Sequence, residues 1–591
     1  MDQFRRVIAE AVARAFEAVP EDIEPLLALP PRPDMGDLAL PCFQFAKARR
    51  SAPPKIAAEL AAALVADPAR PAALERIEAA GPYVNFTIDA QAMMREAFAS
   101  VEGIDEDEPL ARAIDPANAE PPVLTIDYSS PNIAKEFSVA HLRSTALGRS
   151  LVMMHRALGW RVVGINHLGD WGTQFGLLIN AYRANGDAAA LEREPIRHLQ
   201  SLYVAISQRA KTDPTVQDEA RATFRRLEEG DPEIVALWRL FRDLSLAEFQ
   251  RIYSLLGVRF EAYEGESFYN DKLEAVIESF VKAGIAREDN GALIVPMPGD
   301  EAPMLLRKSD GASTYGTRDL AAVAWRAECY RFSRNLYCVD ARQSQHFRQV
   351  FLAHAQLGEA QARQAKQCRH VPFGTVTVDG SAMSTREGNV ILLEAYIREL
   401  ATRAAEIVRD KNPDLPTQTV DELSMQVAIG ALTYEMLRRE QSHNVDFRRE
   451  ESLKFEGETG PRLMYLHAAR LSSLLRTYPQ RLGTEAPATI RLASRHTNLS
   501  LLTSLHEKNL ARLVLMYPGL VRRAADDCAP NLLCNYLQEV TDAFNTYYHA
   551  VTIIDPADTA GSAARIGLVR LLKGVVGHAL GLLGVPAPER M

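Results

Sequence analysis

The sequence predicts an α/β chain built on a parallel sheet, with an α+β N-terminal region before it and an all-α module after it. Three observations carry this. The apolar run Val123–Tyr128, a helical pattern from His141 to Leu158 and a second strand-like run, Arg161–Asn166, follow one another closely. That is a βαβ unit, and hence a parallel sheet. Earlier, Ile56–Leu64 has helical spacing and strong helix formers, whereas Tyr83–Ile88 alternates like a strand. From about Gln418 to Met591 nearly every segment has helical periodicity.

In order, residues 1–105 read as helices followed by a short strand. The stretch 106–122 continues an acidic, Pro-containing run and reads as a linker. Residues 123–400 form the α/β domain, with a mostly helical, charged insertion at about 178–300 and sheet-like runs at Leu293–Pro296, Asn335–Asp340 and Gly374–Val378. Residues 401–591 form the helical module. Ligands at parallel sheets sit beyond the C-terminal strand ends, where helix N-termini point, which places Ser129–Ser144 in a binding crevice.

Hydrophobic residues make up 47% and charged residues 24%, enough apolar material for several cores. Lys and Arg number 67 against 76 Asp and Glu, a net charge of −9 that excludes a uniformly basic nucleic-acid coat. Between Pro461 and Ala525, however, ten Lys/Arg face only Glu485 and Glu507, a local +8 that leaves −17 for the remainder. Six cysteines without a C-x-x-C pair favour neither zinc nor a disulfide framework and suit a reducing cytosol. The N-terminus carries acids where a signal peptide has its apolar core. The best C-terminal apolar run, Ile566–Val585, is interrupted by Arg570, Lys573 and His578, so a soluble chain is expected.

Two constellations carry chemistry. In Asp127–Thr145 (DYSSPNIAKEFSVAHLRST) a helix starting near Ser138 would offer backbone N–H groups to an anion, with Lys135 and His141 adding donors. Gly380–Gly388 (GSAMSTREG) is a small, polar loop containing Arg386. Together they resemble the two signatures of class I aminoacyl-tRNA synthetases, in the surroundings found in arginyl-tRNA synthetases. The likeness continues through Asn166–Gly176, Gly265–Asn270, Arg307–Asp319, Gln343–Phe347, Phe455–Pro461 and Ala587–Met591. Met35–Ala39 and Ala79–Phe86 resemble that family's N-terminal domain, so the likeness spans essentially the whole chain. Three positions depart from it. Ser138 stands where the first signature usually has histidine, Ala140 where it has glycine, and Ala382 where the second has lysine.

The resemblance implies a Rossmann-like catalytic domain, a helical anticodon-binding domain and an N-terminal domain that touches the tRNA elbow. It implies activation of L-arginine by ATP with its Mg2+ and transfer to tRNA(Arg), by a cytoplasmic monomer without zinc or membrane attachment. Lys135, Ser138, His141 and Arg386 are the expected catalytic groups. Ser138, Val139, Ala140, His141, Gly169, Met383, Ser384 and Thr385 would bind ATP. Asp127, Asn132, Tyr315, Asp319 and Gln343 would bind arginine, Tyr315 and Asp319 sharing a helix face at i, i+4. Arg462, Arg470, Arg522 and Arg523 would meet tRNA phosphates. Two other readings compete: a paralogue that loads a non-translational acceptor, and a tRNA-binding protein without catalysis.

Overall fold

The computed structural model describes residues 1–32, 35–110, 120–299, 301–382 and 391–591. Its centre is a five-stranded, all-parallel sheet in the order Cys368–His370, Arg334–Tyr337, Val123–Asp127, Arg161–Asn166, Ala262–Tyr263. The chain leaves the central strand Val123–Asp127 in one direction and returns at Arg334–Tyr337 on its other side. Strand order therefore reverses next to Asp127, and such a switch point opens a crevice at the C-terminal strand ends. The central strand is buried at all five positions, as parallel strands covered on both faces must be.

The helix after the central strand runs Val139–Ala157 with Ser138 as N-cap. Between the fourth and fifth strands, helices from Thr173 to Leu256 form the helical insertion. The run 178–300 is not helical throughout, because Ala262–Tyr263 returns to the parallel sheet and Arg287–Asp289, Ala292–Val295 and Met304–Arg307 make an antiparallel sheet. Two residues are too few to display a period, which is why the edge strand is silent in the sequence.

The N-terminal region carries three antiparallel strands, Leu38–Pro41, Tyr83–Ile88 and Leu74–Ala80, where one had been expected. In Leu74–Ala80 a register shift between Leu74 and Arg76 turns both Leu74 and Ile77 inward, so the strand shows apolar residues three apart and imitates a helix. In the C-terminal module one strand, Val445–Phe447, interrupts the helices and pairs in parallel with Val376–Val378.

The apolar Thr559–Leu583 helix is long enough to cross a membrane, yet two thirds of its most apolar window is buried within the protein. Its polar interruptions are internal contacts: Arg570 with Asp105 at 3.1 Å, Lys573 with Glu589 at 2.7 Å, and His578 with the Tyr517 hydroxyl. The acidic run is likewise anchored. Arg491 lies within 3.5 Å of Glu102 and Glu106 and 2.8 Å of Glu108, while Lys508 meets Asp37 at 3.0 Å. Part of the +8 segment thus clasps the N-terminal region.

Candidate active site

The crevice is built on a strained loop. Ser129, Ser130 and Ala134 have φ of 68°, 44° and 58° without being glycine, each worth of order 1–3 kcal/mol of strain. Hydroxyls hold it there. The Ser129 N–H donates to Ser144 Oγ at 2.9 Å, its own hydroxyl meets Thr145 at 2.8 Å and Tyr253 at 2.9 Å, and the Ala134 N–H donates to Ser245 Oγ at 2.9 Å. Gly169 lets a second loop approach. A Cβ there would fall 1.8 Å from Asn132 Oδ1.

At the helix start, the Ser138 N–H donates to His141 Nδ1 at 3.0 Å. Burial first, then the nearby Lys135 charge, hold the imidazole down to about 4, so it is neutral near pH 7. With Nδ1 accepting, the proton of the neutral ring sits on Nε2, and His141 is a fixed uncharged donor. Lys135 lies 5.7 Å from the Tyr203 ring. The N–H groups expected to be free at this terminus are partly engaged: Val139 donates to the Ile391 carbonyl and His141 to the Ser138 carbonyl, both at 3.0 Å.

Arg386, Met383, Ser384 and Thr385 lie outside the described residues. The flanks of their loop are described. Ser381–Ala382 pairs with Thr377–Val378, and Leu392 bridges to Ser138. The backbone just after the second signature is therefore joined to the start of the helix in the first.

The residues expected to bind arginine divide. Asp127 is buried and fully engaged, its Oδ2 accepting from Arg326 at 2.9 Å and its Oδ1 from the Ser130 hydroxyl at 2.7 Å. Arg326 is itself wholly buried and lies over the Tyr337 ring. Tyr315 and Asp319 do share the first turns of one helix, Tyr315–Tyr330. Asp319 Oδ2 meets His346 Nε2 at 2.5 Å, and Tyr315, 64% exposed, sets its ring 4.6 Å from the same imidazole. Asn132 and Gln343 are exposed, Gln343 one turn before His346.

Glu266, quoted in the Gly265–Asn270 motif but given no role by sequence, is a further acid at this end. Burial pushes its carboxyl up, Asp170 and Asp319 adding to the rise while His167 and Arg318 oppose it. Asp170 anchors this motif by accepting from the Ser267 N–H at 2.8 Å and hydroxyl at 2.7 Å. No spacing rule marks Glu266; only the fold brings it within electrostatic reach of Asp319.

Of the basic residues, Arg462 is committed internally, to Gln538, Asp542 and the Gly457 carbonyl. Arg470 lies 4.5 Å from the Tyr548 ring in an open cavity of about 480 Å³ that Arg481 and His549 also line. Arg522 and Arg523 are exposed on the Leu505–Asp526 helix.

Three family models match along the chain. Residues 111–448 match the model of the class I tRNA synthetase (R) catalytic domain, residues 463–591 the DALR anticodon-binding domain, and residues 2–88 the arginyl-tRNA synthetase N-terminal domain. The chain is 40% identical to an arginine–tRNA ligase of Clostridium perfringens over the full length of both. It is 40% identical to one of Streptococcus pneumoniae over 99% of this chain and all of that one. The arginyl-tRNA synthetase structure of Thermus thermophilus superposes with a TM-score of 0.80 at 27% identity, covering 99% of this chain and 100% of that one. The chain belongs to the arginyl-tRNA synthetase family.

Proposed function

We propose that this chain is an arginine–tRNA ligase. The arginine carboxylate oxygen attacks the α-phosphorus of ATP, the bond to the β-phosphate oxygen breaks, and pyrophosphate leaves. A ribose hydroxyl at the 3′ end of tRNA(Arg) then attacks the carbonyl carbon of the arginyl-adenylate, and AMP leaves. ATP enters with its Mg2+ as a substrate complex.

The observation that carries this reading is the pairing of two unlike ends around one switch point. One is a helix N-terminus with a fixed neutral donor, His141, and a cation, Lys135, on the preceding loop. Groups of this kind position a triphosphate and stabilise charge on its oxygens. The other is a cluster in which Asp319 and Glu266 lie within reach of each other's charge, with Arg318 close by and Tyr315 on the Asp319 helix. Two carboxylates suit a planar guanidinium, and a substrate lacking its N–H groups would leave them unpaired. Asn132 and Gln343 would receive the α-amino and carboxylate groups. Asp127 supports the pocket from behind through Arg326 and need not touch the substrate. Arg386 and residues 383–385 would close on the phosphates.

For tRNA, the N-terminal domain would meet the elbow and the helical module the anticodon stem, with Arg470, Arg522 and Arg523 as phosphate or base contacts. Because Arg462 is internally paired, its part would be to shape that module. The protein acts as a cytoplasmic monomer in this reading. Aminoacylation of total tRNA with each of the twenty amino acids tests it: arginine alone should be charged. Adenylate formation without charging, or no reaction with any amino acid, would overturn it.

A further inference from the structure

His346 touches both Tyr315 and Asp319. It and Asp319 are mostly buried, their side chains 11% and 18% exposed. Its helix packs on the Tyr315 turn at ordinary van der Waals distance, a Cβ added at Gly316 lying 3.7 Å from the His346 ring. Around the pair stand Glu266 and Arg318, both within electrostatic reach of Asp319, and His370. Burial lowers the pKa of the His370 imidazole, which is pinned to the Val339 carbonyl at 2.9 Å.

We propose that His346 is the positioning residue that makes Asp319 selective for a guanidinium. It donates its Nε2–H to Asp319 Oδ2 and holds the carboxylate in place, leaving Oδ1 to accept from the substrate. ATP, held at the other end, does not depend on this contact.

This rests on Asp319 binding the guanidinium, so the experiment separates the two ideas. Binding of L-arginine and of ATP to the full chain is measured by calorimetry at pH 8, with folding checked by thermal melting. His346→Gln keeps an N–H for Asp319 and should bind arginine within about threefold of wild type. His346→Ala should weaken arginine by roughly tenfold or more while leaving ATP unchanged. A loss of arginine affinity in His346→Gln as large as in His346→Ala, or equal losses of arginine and ATP in His346→Ala, would overturn the proposal. Should Asp319→Asn leave arginine affinity intact, the assignment of Asp319 itself falls. Should Asp319→Asn abolish arginine binding while His346→Ala binds arginine as wild type does, only the role of His346 falls.

Discussion

The two ends of the crevice are built on opposite principles. At the end proposed to take the phosphates the polar groups of the loop are already satisfied by protein: Ser129, Ser144, Thr145 and Tyr253 bond one another, and His141 is held neutral by burial and by Lys135. Because the folded His141 titrates near 4, below the ordinary histidine value of about 6.5, it keeps its proton on Nε2 throughout neutral pH. Its contribution to stability is full above about 6.5 and is lost as pH falls through about 4. At the end proposed to take the amino acid, Tyr315 stands largely exposed and Asp319 is shared with an imidazole. Phosphate chemistry gains from donors that do not reorganise. Discrimination gains from an acid that is penalised when the wrong ligand leaves it unpaired. One fold would supply both because the switch point sets the Ser129–Ala134 loop beside the first turns of two helices.

Breaking the pin between the ends should have the largest effect. Arg326, on the Asp319 helix, and Asp127, at the root of the phosphate loop, form a buried pair. Arg326→Ala leaves an uncompensated buried carboxylate and should lower unfolding free energy by ~3–5 kcal/mol in a denaturant titration. A loss below ~1 kcal/mol would mean that the two ends are held by other contacts.

A smaller loss is expected at the phosphate end alone. Lys135→Ala should slow single-turnover arginyl-adenylate formation by ~10²–10³, the scale of one preorganised transition-state donor, with arginine affinity preserved. Ala382 supplies no charge where the second signature usually has lysine, so adding Ala382→Lys to that variant should recover part of the rate. If Ala382→Lys changes the rate by the same factor with and without Lys135, the two positions do not serve one charge site.

The smallest effect lies outside the crevice. Arg522 and Arg523 are exposed, whereas Arg462, Arg491 and Lys508 of the same basic segment are tied to acids. Replacing Arg522 and Arg523 by Gln should flatten the slope of log K for tRNA against log salt by about one unit per lost phosphate contact. The same change at Arg491 should instead loosen the clasp on Glu102, Glu106 and Glu108, which thermal melting of the free protein detects. An unchanged slope in the Arg522/Arg523 variant would place these arginines in solvent.

What could be read from sequence was local. The Ser138 cap, its His141 three residues on and the i, i+4 spacing of Tyr315 and Asp319 lie within single turns, and both survive in the fold. What could not be read depends on long range. Arg326 is one arginine in a helix until Asp127, 199 residues away, meets it. His346 was visible inside the Gln343–Phe347 motif, but its role comes from a carboxylate on another helix. The acidic run at Glu102–Glu108 and the basic segment were each plain in the sequence. Their complementarity was not, because 383 residues separate Glu108 from Arg491. The strand Leu74–Ala80 was lost to its bulge, which replaces a period of two with an apparent period of three.

The central claim is that amino-acid choice and phosphate chemistry reside at separately built ends. It is tested most directly by the Asp319→Asn variant, through arginine and ATP dissociation constants measured in parallel at pH 8. The account predicts arginine weakened by at least ~2 kcal/mol, roughly thirtyfold, with ATP within about twofold of wild type. Equal losses for both ligands, or an arginine affinity that does not move, would contradict it.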